Sequence, residues 1–496
     1  MMEVRLITGL MATWLLSACT GRDGVVPVIP EPARVHFFIG KTQVEDPAGA
    51  EYKESALFGK EAYRIDISRN RIVVTAGTDA GRFYADQTLL QLYEVYGAGQ
   101  VPCCRIEDAP RYSWRSFMLD ESRHFFGEEY VLRTLDLMAR YKLNKFHWHL
   151  TDTDGWRLEI NAFPELTRVG SVGNHTDIEA PAAFYTQEQV RRIIAYAAER
   201  QIEVIPEVDM PGHATAAIRA YPALGGGFHP DYPNFTYNIG LEETCSFLET
   251  VLDEVAALFP GRYIHLGGDE VSYGWSAWDD CPEILALMER EGLHDKAAVC
   301  AFFLGRMARY ILNIGKIPVV WCDAQEMGLD EKEVTVAWWR HDREDLLARC
   351  LEAGLSTVLC PRLPLYFDYV QSPDHVEGAK WRKTESSDLE DLYGFPDNRA
   401  SFPADISSII GLSAHLWTER IETPERADFM TWPRMLALAE TSWTLPERKE
   451  YALFLDRLPD QLAYLSSRHV YYYHPLAPDS TPEPPMPVRY HQPTNH

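Results

Sequence analysis

From about residue 109 onward, short apolar runs alternate with longer segments whose apolar residues recur at spacings of three and four, the pattern of strands separated by amphipathic helices. The candidate strands are RSFMLD (115–120), KFHWHL (145–150), EVIPEVD (203–209), YIHLGG (263–268), IPVVWCD (317–323), VTVAWW (334–339), STVLCP (356–361) and IIGLSAHLW (409–417). Helical segments such as EEYVLRTLDLMARYK, TQEQVRRIIAYAAERQ and CSFLETVLDEVAALF intervene. Strand and helix in alternation, eight times over 109–470, predict an α/β fold: a (β/α)8 TIM barrel, with its reactive groups at the carboxyl ends of the strands.

Upstream, residues 35–108 hold strand-like YRIDIS and RIVVT followed by the helical DAGRFYADQTLLQLYEVYG, a small α+β N-terminal domain without catalytic features. The Pro- and Gly-rich stretch 19–34 is expected to be a tether, and 471–496 a Pro-rich C-terminal tail. The start, MMEVRLITGLMATWLLSACTG, has an apolar core of about a dozen residues, too short for a span of about 20. It reads as an export signal over 1–18. Leu16-Ser17-Ala18-Cys19 resembles the bacterial lipoprotein box, so Cys19 is expected to be lipidated, anchoring the protein on the periplasmic or cell-surface face of a bacterial envelope.

Composition narrows the partners. With 73 acidic against 47 basic residues, the formal charge of −26 repels a phosphate backbone, which excludes nucleic acid. Membrane contact is then expected only through the lipid anchor. The cysteines other than Cys19 form no CxxC pair; most read as small buried side chains, and the sequence leaves open whether any pair in an exported protein.

Candidate chemistry follows the strand ends, which carry Asp120, Asp152, Asp209, Asp269 with Glu270, Asp323, Trp339 and Trp417. One strand-end Asp is as readily a cap on the next helix, but so many together, beside tryptophans, suit a carbohydrate. A metal-dependent hydrolase is the rival, because His147 and His149 project from one side of a strand. Packing inside the barrel accounts better for that pair, so no metal and no cofactor is expected. Asp269 and Glu270 raise a separate question. Adjacent residues have Cα atoms about 3.8 Å apart and point in different directions, an awkward way to straddle a sugar as acid and nucleophile. One can donate a proton, the other serves something beside the leaving group, and the nucleophile comes from elsewhere.

The motifs HLGGDE, MLDESRHF, NKFHWHLTDTDGWRLEI, PEVDMPGHA, PVVWCDA, LYFDY, LWTE and PRMLALAE, in order from roughly 60 to 470, resemble glycoside hydrolase family 20, the β-N-acetylhexosaminidases. The resemblance implies an exo-acting enzyme that removes terminal β-linked N-acetylglucosamine or N-acetylgalactosamine with retention. The sugar's own acetamido oxygen would attack the anomeric carbon to give an oxazolinium intermediate. It makes Glu270 the general acid and then base, Asp269 the partner of the acetamido N–H, and Asp152 with His213 a supporting dyad. Arg123, Asp368 and Glu419 would bind the outer hydroxyls. Trp321, Trp339 and Trp417 would line the pocket for the acetamido group and the floor of the ring, and Tyr366 would contact the acetamido oxygen. Two features depart from the family. The stretch 35–60 is short of recognisable elements, and Tyr369 after Asp368, where a basic residue would suit an anionic sugar, favours a neutral one. A catalytically idle glycan-binding barrel is the alternative from another class, and the sequence leaves the oligomeric state open.

Overall fold

In the computed structural model, residues 26–227, 232–330, 332–380, 386–399, 402 and 406–485 are described. The export signal 1–18, Cys19 and parts of the expected tether and tail lie outside them. The described chain divides into two compact units.

Unit 1 comprises the N-terminal residues to Tyr112 with Ala139–Lys142 and Leu436–His469. Its sheet contains β1 (Arg34–Lys41), β2 (Glu51–Glu54), β3 (Tyr63–Ser68), β4 (Arg71–Ala76) and β5 (Pro102–Asp108), in the order β1-β5-β3-β4-β2. Alternation decides the buried face: Tyr63, Ile65 and Ile67 of β3 are buried while Arg64 and Asp66 are not. The helix Asp79–Tyr96, whose Thr78 cap accepts from the Gly81 N–H, buries Tyr84, Leu89 and Leu92 in the same core. Strands β1 and β2 fill the stretch that carried no recognisable element in the sequence.

Two boundaries differ from expectation. The tether was expected to reach residue 34, but Val26, Val28 and Ile29 are buried in unit 1, and Gln91 brackets Ile29, accepting from its N–H at 3.0 Å and donating to its C=O at 2.8 Å. The prolines are buried with the valines and isoleucine, so the stretch packs as an apolar segment rather than a solvated tether. Residues 436–469, expected to finish the barrel, group with unit 1 instead. Trp443 joins the unit 1 core and donates to Asp108 at 2.9 Å, and Arg457 pairs with buried Glu440 at 2.6 Å.

Unit 2 comprises Ser113–Met138, Leu143–Met435 and Val470–His496. It holds a closed barrel of β6 (Trp114–Asp120), β7 (Lys145–His149), β8 (Glu203–Glu207), β9 (Tyr263–His265), β10 (Ile317–Trp321), β11 (Thr335–Trp338), β12 (Ser356–Leu359) and β13 (Ile409–Leu416). Every neighbouring pair is parallel, and β13 closes on β6 from Gly411 opposite Trp114 to Leu416 opposite Leu119. Each predicted strand is present; β6 ends at Asp120 as expected, and the others stop one to three residues earlier at the carboxyl end. Residues buried on both faces explain why these strands read as apolar runs rather than alternations; all seven positions of β6 are buried. The described part of the tail also belongs to unit 2, where Glu483 accepts from the Val376 and Glu377 N–H groups.

Candidate active site

The side chains just beyond the carboxyl ends of β6 to β13 converge on one mouth. Beyond β9, Gly267 has φ +68°, Gly268 φ +93° and Glu270 φ +50°. A Cβ on Gly267 would lie 1.8 Å from Asp209 Oδ1, so only glycine fits that turn. Left-handed backbone at Glu270 costs about 1–2 kcal/mol. The turn sets Asp269 and Glu270 on the same wall.

A continuous polar chain runs from the barrel interior to that wall. Glu207 accepts from Trp321 Nε1 at 2.9 Å, from His147 Nε2 at 2.9 Å and from His149 Nδ1 at 2.6 Å. His149 Nε2 donates to Asp152 Oδ2 at 2.9 Å, and Asp152 Oδ1 accepts from His213 Nδ1 at 2.9 Å. His213 Nε2 then lies 3.7 Å from Asp269 Oδ2 and 3.6 Å from Glu270 Oε2. Burial opposes charge along this chain and prevails at His147, whose imidazole it lowers to about 4 against the Glu207 charge, but it is overturned at the links nearer the wall. Burial would raise Asp152, but the charges of Arg123 and His213 hold it well below the usual carboxylate range. Burial would lower His213 and His149, but Asp152 and Asp269 around the first and Glu207 and Asp152 around the second keep both imidazoles charged well above the usual range.

Asp269 behaves differently. Burial, added to by the charges of Glu270 and Asp323, pushes it up to about 7 against the opposing His213 cation. Asp209, behind it, is raised well above its ordinary value by burial and by the charge on Asp269. Asp269 Oδ1 is buried without a hydrogen-bond partner in the described protein, an acceptor aimed at the mouth.

Aromatic side chains form the next layer. Trp339 stacks with Tyr366 at 6.4 Å and 14°, Tyr366 lies 6.0 Å from Trp417, and Trp417 lies 6.1 Å from Trp321. Asp323 anchors this box by accepting from Trp339 Nε1 at 2.6 Å; burial and the Glu270 charge lift it to about 6 despite that bond. On the outer side, Arg123 lies 2.9 Å from Asp152, 3.7 Å from Glu419 and 3.7 Å from Asp154, with its guanidinium 5.1 Å from the Trp417 ring. Asp368 Oδ1 is buried and lacks a partner in the described protein, and burial with the Glu419 charge raises that carboxyl well above the usual range. The predicted site residues among the described ones are thus brought together at this one mouth, with Asp152 and His213 behind the acid pair and Trp321 at the floor.

Sequence reading missed Glu207. It looked like part of an apolar strand, although inward residues recur every second position and Asp209 lies two further on. His147 and His149 do pack inside the barrel, and both are tied to Glu207. Among the described residues, three groups have ligand atoms close enough to hold a metal: His147 with Glu207 and His265, Asp152 with Asp209 and His213, and His213 with Asp269 and Glu270. In the first two the same carboxylates already balance charged or hydrogen-bonded neighbours within the protein.

Residues 112–446 match the model of the glycosyl hydrolase family 20 catalytic domain, and 39–109 match that family's domain 2. A β-hexosaminidase of Porphyromonas gingivalis is 35% identical over 84% of this chain and 55% of its own length. One of Vibrio furnissii is 36% identical over 76% of this chain and 64% of its own. The chain thus spans less than two thirds of either relative. Among solved structures, an exo-β-N-acetylglucosaminidase of Vibrio harveyi in complex with N-acetylglucosamine superposes with a TM-score of 0.82 at 31% identity, covering 91% of this chain and 78% of that one.

Proposed function

The chain belongs to glycosyl hydrolase family 20, and from that premise we propose that it is an exo-β-N-acetylhexosaminidase, cleaving terminal β-linked N-acetylglucosamine or N-acetylgalactosamine from glycans with retention. The observation that carries the reading is the side-by-side placement of Asp269 and Glu270, both faced by His213 Nε2. Glu270 protonates the glycosidic oxygen while the substrate's acetamido oxygen attacks the anomeric carbon from the other face, forming an oxazolinium ion. Asp269 accepts the acetamido N–H, orienting the nucleophile and offsetting the positive charge that develops on it. Glu270, now a carboxylate, takes a proton from the water that opens the ring. Asp152 and His213 hold the pair in place from behind. Trp321, Trp339, Tyr366 and Trp417 wall the pocket for the acetamido group and ring, while Arg123, Asp368 and Glu419 take the outer hydroxyls. None of these steps draws on a cofactor.

Hydrolysis of p-nitrophenyl β-N-acetylglucosaminide and of the plain glucoside tests this directly. Glu270→Gln is expected to lower kcat by about 10²–10⁴-fold, and Asp269→Asn by about 10²–10³-fold. Equal rates on the two substrates would overturn the substrate-assisted mechanism, and binding without turnover would favour the idle glycan-binding barrel. We further propose export and lipidation at Cys19, supported by the Leu16–Cys19 motif after a short apolar segment. Among the described residues no helix is long and apolar enough to cross a membrane.

A further inference from the structure

Beside Glu270 stands a pair of aromatic rings that the mechanism above leaves unused. Tyr273 lies in the short 3-10 segment Val271–Trp278, and its N–H donates to the Glu270 carbonyl at 3.0 Å. Its side chain is 42% exposed, unusual for a ring so close to a buried catalytic wall. It stacks on Tyr232 with centroids 5.1 Å apart and planes at 15°. Phe235 braces both, 5.7 Å from Tyr232 and 6.3 Å from Tyr273, and itself meets the His213 imidazole at 4.7 Å. Gly274 makes the bracing possible: a Cβ there would lie 2.3 Å from Thr236 Cγ2 and 3.1 Å from the Phe235 ring. The pair is therefore held in place before any ligand arrives, which lowers the ordering cost of binding to it.

We infer that Tyr232 and Tyr273 form a platform for the ring face of the sugar that leaves, so that the protein prefers an N-acetylhexosamine linked to another sugar over one linked to a small alcohol. The inference rests on Glu270 as the proton donor. A donor must reach the glycosidic oxygen, so rings rooted in the segment that follows it face the leaving group, whereas the terminal sugar has the indole box. The exposed ring of Tyr273, braced by half-buried Tyr232, offers a flat apolar face that suits the C–H face of a pyranose. The Glu270 charge, with burial second, pushes the Tyr273 hydroxyl up to about 12, so it stays protonated and able to donate to Glu270.

The test is the ratio of kcat/KM for the β-linked N-acetylglucosamine disaccharide to that for methyl β-N-acetylglucosaminide. A ratio does not depend on how much of a variant is folded. In Tyr232→Ala and Tyr273→Ala it is expected to fall about tenfold, the scale of one aromatic contact. In Tyr273→Phe, which keeps the ring, it stays within about twofold of wild type. An unchanged ratio in both alanine variants overturns the platform, as does an equal fall in Tyr273→Phe, which would assign the effect to the hydroxyl. A wild-type protein that hydrolyses neither substrate overturns the hexosaminidase reading and this inference with it.

Discussion

Asp269 sits where a carboxylate is least at home. Burial and the neighbouring Glu270 and Asp323 charges lift it to about 7, well above the roughly 3.9 of an unfolded chain. The folded state therefore binds a proton that the unfolded state releases, so the stability tied to this group is complete below the unfolded value and is lost as pH rises through about 7. Asparagine is neutral throughout. Asp269→Asn is accordingly expected to gain on wild type as pH climbs, with a melting temperature a few degrees higher at pH 8, since about 1 kcal/mol shifts a large domain by roughly 2–4 °C. Melting curves at pH 5 and pH 8 check this; a gap between the proteins that does not change with pH would mean that Asp269 titrates like an exposed carboxyl. The same substitution is expected to abolish most turnover, so the residue trades stability for chemistry. Asp152 works in the opposite sense. Its folded value is depressed, so its contribution is present above the unfolded value and disappears only as pH falls through the folded one.

Between β9 and the 3-10 segment, the turn through Gly267 decides where the two acids point. Gly267→Ala would put a methyl group against Asp209 on backbone at φ +68°, and is expected to destabilise by about 2 kcal/mol or more. Denaturant midpoints with unchanged slopes would register that loss; a variant as stable as wild type would show that Asp209 can withdraw. The barrel strands were legible because burial on both faces writes them as apolar runs, and the acids beyond their ends were legible because charge is rare at the edge of such runs. Glu207 was hidden for the same reason. A single carboxylate inside EVIPEVD shows its purpose only when His147, His149 and Trp321, from two other strands, are seen to meet it. Tyr232 and Tyr273 were likewise two ordinary tyrosines until the fold stacked them. Segment 26–33 misled through its prolines, although the apolar Val26, Val28 and Ile29 among them were the truer signal.

On the scale of the molecule, the charge of −26 keeps polyanions away from the chain, while the proposed anchor decides where it works. Cys19→Ser is expected to move hexosaminidase activity from the membrane fraction to the soluble one, measured by fractionating cells that express each form; activity that stays with the membrane would rule out lipidation as the tether. Domain borders were the least legible feature, because reading along a sequence presumes that a unit is one uninterrupted stretch. Unit 1 is assembled from three, and its core holds Trp443 alongside Ile65 and Tyr84. That arrangement has a consequence for how the protein is made. The N-terminal sheet emerges from the ribosome first, yet Trp443, Arg457 and Gln461 follow only after the entire barrel has been synthesised. Domains as a rule fold in the order of their synthesis. Here the earliest part of the chain must wait for nearly the last, and the barrel, contiguous but for a few residues, can close while its predecessor is still unfinished.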